Sequence, residues 1–433
     1  MHDVLDPRDL VPDEAEQLRI SGFVVDDLEE QARAAAADGD LARLDLIAVR
    51  LARAVRSPDW TFDEPDDDAT LHALAEIVAP APYESLELAE RIRGAWLGRC
   101  VGNTLGKPIE GLDPRQVEIY LRAAGQWPLR GYLPLLDPLP EGVPALHPSA
   151  PVATAGRFSD VPRDDDIDWT IVALHLLETY GTDLTTEDVA REWLDRVPFT
   201  QTYTAERAAY RNLVHGVRPP ETATRANPYR EWIGALIRGD AFGYVNPGDP
   251  AAAARLALVD ARLSHTGNGV FGELWAAALA ACALAADDIE EVVTTALQLV
   301  PAGSRLAVAI NDMLRLRASG ATATEALDSV DRTFSRYPWV HTVNNAALIA
   351  IGLLWGGSFI EAVGLTIAGG RDTDSNGATV GSVYGALHGA AAVPSELVGT
   401  THVHVRSAVR DFDRITIDEL TRRTLAVIGS GRV

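Results

Sequence analysis

The chain has 433 residues, enough for one large core, with 47% apolar and 23% charged residues, a globular composition. Its formal net charge of −24 argues against a general binder of nucleic acid or anionic membrane, since both need a basic footprint. Cys100 and Cys282 are its only cysteines and lie far apart, which excludes a disulfide framework and a thiolate metal cluster.

In chain order, residues 1–82 read as an acidic, Ala-rich helical extension, punctuated at Pro12, Gly39-Asp40, Pro58 and the run 64–70. There the carboxylates Asp66, Asp67 and Asp68 favour a helix start through the helix dipole. The N-terminus lacks the charged-then-apolar plan of a signal peptide, and no run of about 20 apolar residues occurs, so a cytoplasmic protein is expected. The main body, 83–433, opens with a helix after Pro82. Residues 127–163, rich in Pro and Gly with little periodicity, read as a long surface loop.

From Asp168 onward, apolar periodicity predicts helices over 168–180, 186–195, 203–215, 251–263, 269–286, 288–299, 304–318, 323–334, 342–355, 358–367 and 376–390. In the first of these, Ile171, Leu174 and Leu177 mark the buried stripe. Alternation typical of strands is scarce. The fold class is all-α, a compact multi-helix bundle.

Two segments break a rule of helix economy. Gly94, Gly98, Gly102 and Gly106 recur every fourth residue, as do Gly377, Gly381, Gly385 and Gly389. An interior helix glycine costs about 1 kcal/mol relative to alanine. Spacing of four puts them on one face, so two glycine-faced helices are expected to meet closely in the core. That meeting would hold together what flanks them.

The flanking residues are acidic. Asp372-Thr373-Asp374-Ser375 precedes the second ladder, Asp164-Asp165-Asp166-Ile167-Asp168 opens the 168–180 helix, and Glu110 follows the first ladder. Carboxylates and hydroxyls at helix starts supply hard oxygen ligands for Mg²⁺, Mn²⁺ or Ca²⁺. A solvated, Asp-rich helix start is the plainer reading of either cluster alone.

The three segments in this order resemble the ADP-ribosylglycohydrolase family, which includes the dinitrogenase-reductase-activating glycohydrolases. Gly106-Lys107-Pro108-Ile109-Glu110 matches its Gly-x-Pro-x-Glu, Asp164-Asp165-Asp166 its Thr/Ser-Asp-Asp, and Asp372-Thr373-Asp374-Ser375 its Asp-Thr-Asp-Thr. The resemblance covers roughly 88–395. It implies an all-α bundle around a dinuclear cleft holding two Mg²⁺ or Mn²⁺ ions, with Asp164, Asp165, Asp166, Asp372, Asp374 and Ser375 as ligands. It also implies hydrolysis at ribose C1 of an ADP-ribosylated side chain or a small ribosyl compound, with Glu110, Asp165, Asp166 and Asp372 as catalytic groups. Asp164 and Ile167 depart from the family's hydroxyl positions, and Asn103 stands where many members carry Asp. A non-catalytic, metal-holding protein that recognises a nucleotide or ADP-ribose is the alternative.

The stretch 227–282 adds candidates for substrate contact. His265, Asn268 and Gly269 lie before a helix whose start suits a phosphate or sugar oxygen, and Trp232 could stack on a ring. Asn103 and Glu110 join them by position. Each also has a structural reading, and Arg238 and Asp240 have the simple reading of pairing with each other. Lys107 is the one lysine among 38 basic residues, and nothing in its Gly-Lys-Pro context suggests burial. The isolated His-Val-His at 402–404 reads as surface.

Overall fold

The architecture is that of a computed structural model that describes residues 5–83 and 86–431. Helices predominate among them, and the only sheet is an antiparallel pair of two-residue strands, His404–Val405 with Ile415–Thr416. The predicted helices form with ends moved by a few residues: 168–180 becomes Asp165–Tyr180, 323–334 is Ala323–Phe334, and 376–390 is Thr373–His388. Their starts are fixed locally, as at Thr322, whose side chain takes the backbone N–H of Glu325 while Glu325 returns the contact. Residues 127–163 are largely irregular, with one short helix at Ala150–Ala153. No helix of the described residues is long and apolar enough to cross a membrane.

The centre of the bundle is a pair of antiparallel helices, Leu88–Gly106 and Thr373–His388. A Cβ added to Gly98 would lie 2.0 Å from the carbonyl oxygen of Gly381, and one added to Gly381 would lie 2.2 Å from that of Gly98. Gly94 faces Gly385 and Gly102 faces Gly377 in the same way, and Gly106 meets the carbonyl of Thr373. The ladders therefore interlock in register, backbone against backbone. Helix propensity lost at each rung is offset by dispersion and Cα–H···O contacts over the shared length. Gly389 is not a rung: it ends its helix at φ +78°, a conformation that favours glycine.

The extension has a core of its own. Helices Pro7–Ile20, Leu28–Asp38 and Leu41–Leu51 bury Ala15, Leu18, Ala32, Leu44 and Ile47 against one another. Buried charge ties it to the body: Arg305 pairs with Glu64 of the extension at 2.7 Å and with Glu231 at 2.7 Å. Asp67 caps the helix Asp68–Ala75, as expected of the acidic run, while Asp66 bonds Arg262.

The reading of 402–404 as surface needs correction at His402, which is 3% exposed. Its ring stacks on Tyr132 at 5.5 Å, and burial pushes its pKa down to about 4. A neutral imidazole can lie against an aromatic ring without a counterion, which the sequence gives no sign of.

Candidate metal centre

The ladder pair fixes where the acidic segments go. Gly106 lies on the backbone of Thr373, and the Thr373 hydroxyl donates to the Gly106 carbonyl at 2.8 Å. The loops beyond them pair as well: Arg371 N–H donates to the Leu112 carbonyl at 2.8 Å, and Gly111 N–H to the Arg371 carbonyl at 2.9 Å. To make that pairing Arg371 adopts φ +67°, a strained backbone for a non-glycine residue. Glu110 is thereby set beside Asp372.

The third segment is the start of Asp165–Tyr180. Asp164 is its N-cap, accepting from Asp166 N–H at 3.0 Å. Asp166 points between the ladder helices: one carboxylate oxygen accepts from Asn103 Nδ2 at 2.8 Å, the other from the Ser375 hydroxyl at 3.0 Å. The Asp166 carbonyl accepts from the fully buried Arg99 at 2.7 Å, and Arg99 pairs with Asp240 at 3.0 Å. Asp168 faces elsewhere, bonded to Arg163 at 2.7 Å and to the Ser407 hydroxyl at 2.6 Å.

Two sets of carboxylates result, Asp164 with Asp166 and Asp374, and Glu110 with Asp372 and Asp374. In each set, one ligand oxygen per residue lies within 4.8 Å of the others. Asp374 belongs to both. Asp165 belongs to neither set, although it lies close enough to act on the charge of Asp166 and Lys107.

Lys107 is buried, contrary to expectation. Its ammonium bonds Asp164 and lies 3.7 Å from Asp374. Burial works against that charge, but Asp374, Glu110 and Asp165 outweigh it and raise the lysine pKa. At the rim, His147 Nε2 lies 3.3 Å from Glu110.

Crowding sets the electrostatics. Burial, and then the charge of Asp374, push Asp166 up to about 7 and hold Glu110 and Asp372 well above the usual carboxylate range. Groups in this condition favour a bound cation, which would reverse the repulsion and release protons. The donor set fits a divalent ion. Every ligand is a hard oxygen, and Asp374 Oδ1 is buried without a hydrogen-bond partner in the protein.

Several expected substrate contacts are placed in another network. Asn268 donates to Glu231 at 2.9 Å and to Glu64 at 2.8 Å, and its side-chain Oδ1 accepts from Leu306 N–H at 3.0 Å. Gly269 packs on the Arg230 carbonyl, and His265, fully buried, bonds the Ser264 hydroxyl at 2.8 Å. Trp232 packs on Tyr229 in a small apolar cluster with Leu5 and Val340. Asn268 and Trp232 thereby join the extension to the body. Asn103 does reach the carboxylates, as the partner of Asp166. Arg238 pairs not with Asp240 but with Glu206 and Asp260, at 2.5 and 2.6 Å. Arg99, Lys107 and His147 were missed. The available signal was a charged residue, Arg99, inside an otherwise small and apolar helix face.

An all-helical protein with a buried carboxylate cleft suited to cations is the class that fold and site define. The chain belongs to the ADP-ribosylglycohydrolase family, whose model matches residues 84–430. Over 305 residues it is 25% identical to an uncharacterized protein of Archaeoglobus fulgidus, covering 69% of this chain and 88% of that protein. A solved structure described as an ADP-ribosylglycohydrolase-related protein complex aligns with 19% identity and a TM-score of 0.42, over 79% of this chain and 99% of that one.

Proposed function

We propose that the protein is a divalent-metal-dependent glycoside hydrolase that cleaves the bond at ribose C1 of an ADP-ribosyl conjugate or a related small ribosyl compound, working in the cytoplasm. The observation that carries this reading is the pair of carboxylate sets sharing Asp374, one oxygen of which is buried and unpartnered. Asp166, Asp372, Asp374 and Glu110 would hold Mg²⁺ or Mn²⁺, with Ser375 and Asn103 orienting Asp166. When bound, such a cation supplies a Lewis acid that binds ribose hydroxyls and acidifies water.

The remaining work belongs to the chain's own side chains. Glu110 reaches the cleft from the rim and takes the proton of the attacking water, whose oxygen bonds to C1 as the C1–N or C1–O bond breaks. That proton passes on to the leaving group. His147 holds the Glu110 carboxylate from the outside. Arg99 fixes the backbone from which Asp166 projects.

The test follows release of ADP-ribose from an ADP-ribosyl-arginine conjugate by metal-stripped protein, with and without Mg²⁺ or Mn²⁺. Turnover restored by metal, and reduced on the order of 10³-fold in Asp372→Ala, supports the hydrolase, since metal stabilisation of a transition state is worth several kcal/mol. A protein that binds ADP-ribose without turning over this or any other ribosyl compound supports the binding-protein alternative.

A further inference from the structure

We propose that Lys107 fills one of the two cation positions of the cleft, so that the protein works with one divalent ion beside one ammonium. The inference rests on the metal-binding reading above and changes its ion count.

The first observation is where the lysine sits. The chain uses arginine for all but one of its 38 basic residues, and that one lysine is buried in the acidic cleft. An ammonium is a compact point charge that fits among carboxylate oxygens as a metal ion does, whereas a planar guanidinium does not. Lys107 begins the 3₁₀ turn Lys107–Ile109, and its N–H caps the ladder helix on the Asn103 carbonyl. It is 6% exposed, so its ammonium is a fixed part of the cleft rather than a surface tail.

The second observation is how the oxygens are spent. Asp164 Oδ1 caps its helix on Asp166 N–H, and Asp164 Oδ2 takes the ammonium, so both of its oxygens are committed. Asp374 Oδ2 lies 3.7 Å from the same ammonium, while Asp374 Oδ1 has no partner. The Asp164–Asp166–Asp374 set thus already contains a cation. The set of Glu110, Asp372 and Asp374 keeps the free oxygen for a metal ion. Asp164 stands where the resemblance places a hydroxyl, and its added negative charge is matched by the lysine rather than spent on a second ion.

The test counts ions and needs no substrate. Metal-stripped full-length protein is titrated with Mn²⁺, bound ions are counted by equilibrium dialysis, and spin coupling is read by electron paramagnetic resonance. Wild-type protein is expected to bind one Mn²⁺ per chain with the spectrum of an isolated ion. Lys107→Met, and the double variant Lys107→Met with Asp164→Ser, are expected to bind two, with a spin-coupled spectrum. The double variant removes both ends of the closest pair and so strands less buried charge than Lys107→Met alone, leaving Asp374 without the ammonium. Two ions in wild-type protein, or one ion in wild type and in both variants, would overturn the lysine assignment while the metal site stands. Wild-type protein that binds no Mn²⁺ overturns the metal reading and this inference together.

Discussion

Two of the buried acidic clusters among the described residues are built to opposite ends. Around Arg238, the carboxylates of Glu206, Asp260 and Glu273 close on one guanidinium, which also lies over Trp193 at 5.0 Å. In the cleft, Glu110, Asp166, Asp372 and Asp374 crowd together and the one lysine pairs with Asp164 and Asp374; each cluster keeps a buried oxygen without a partner, Asp374 Oδ1 here and Glu273 Oε1 there. The cation of the first cluster pairs with all three of its carboxylates; that of the second pairs with Asp164 and Asp374. A count of buried acids would not distinguish them. The geometry of the basic residue does, because a guanidinium fork spans several carboxylates and an ammonium occupies one point.

The comparison is broken most sharply by removing the cation from the closed cluster. Arg238→Met should destabilise the protein by about 3–5 kcal/mol in denaturant titration, since it strands buried carboxylates. Asp372→Ala, examined the same way without metal, should leave stability unchanged or raise it, because it relieves repulsion. Equal losses in both variants would mean that the cleft is a structural cluster like the other.

Protonation gives the next largest effect. Burial, only partly opposed by Arg238, pushes Glu206 up to about 7, against an ordinary value of 4.5. A raised carboxylate pKa means that the folded state holds the proton longer than the unfolded chain. The associated stability is complete below the unfolded value, falls as pH rises from about 4.5, and is lost above about 7. The difference between wild type and Glu206→Gln should therefore change by on the order of 3 kcal/mol over that window, with wild type losing ground as pH rises. A pH-independent difference would show that Arg238 keeps Glu206 ionised throughout.

The ladders and the acidic motifs could be read from sequence because each is a local pattern with a geometric consequence. Glycines four apart define a face, and two such faces interlock only in the register that brings Gly106 to Thr373. Carboxylates at helix starts follow from the same periodicity. His265, Asn268 and Gly269 suggest substrate contacts because they precede a helix start, and Trp232 because it could stack on a ring. Asn268 instead bonds Glu64, at a separation of 204 residues, while His265 and Trp232 meet the nearby Ser264 and Tyr229. Lys107 was misjudged for a related reason. Gly-Lys-Pro alone describes an exposed turn, and only the return of the chain at 164 and 374 encloses it. Asp165, adjacent to two cluster members, lies outside both sets, and its two neighbours share one because Asp164 caps the helix with an extended backbone instead of following its steps of about 100°.

Ligand linkage sharpens the contrast further. Mn²⁺ at about 100 times its dissociation constant should stabilise the wild-type protein by about 2.7 kcal/mol. For a chain of 433 residues that is a rise in Tm of about 3 °C. Asp374→Asn should abolish the shift, since Asp374 belongs to both carboxylate sets. Arg238→Met should keep it, if the variant is measured from its own lower baseline.

The smallest effect separates a ligand from the residue that aims it. Asn103 donates to Asp166 from within the ladder helix, where the neighbouring rungs, Gly102 and Gly106, fix the backbone on the carbonyls of Gly377 and Thr373. Asn103→Ala removes that bond without touching a rung or a carboxylate. Residues that orient metal ligands typically cost 10–100-fold in affinity when lost, and here Ser375 still holds the other Asp166 oxygen. Where Asp166 is a ligand, a weakening of Mn²⁺ binding by about tenfold is expected, at the lower end of that range; where Lys107 takes that position and the ion sits in the Glu110–Asp372–Asp374 set, the affinity should be unchanged. Asn103→Asp would restore an oxygen but not the donated hydrogen, and would add charge beside Asp166. If Asn103 only aims Asp166, Asn103→Asp should fail to rescue the lost affinity. If it instead serves as a ligand, Asn103→Asp should bind Mn²⁺ more tightly than wild type. Metal titration of the two variants side by side distinguishes these roles, and it does so without reference to any substrate.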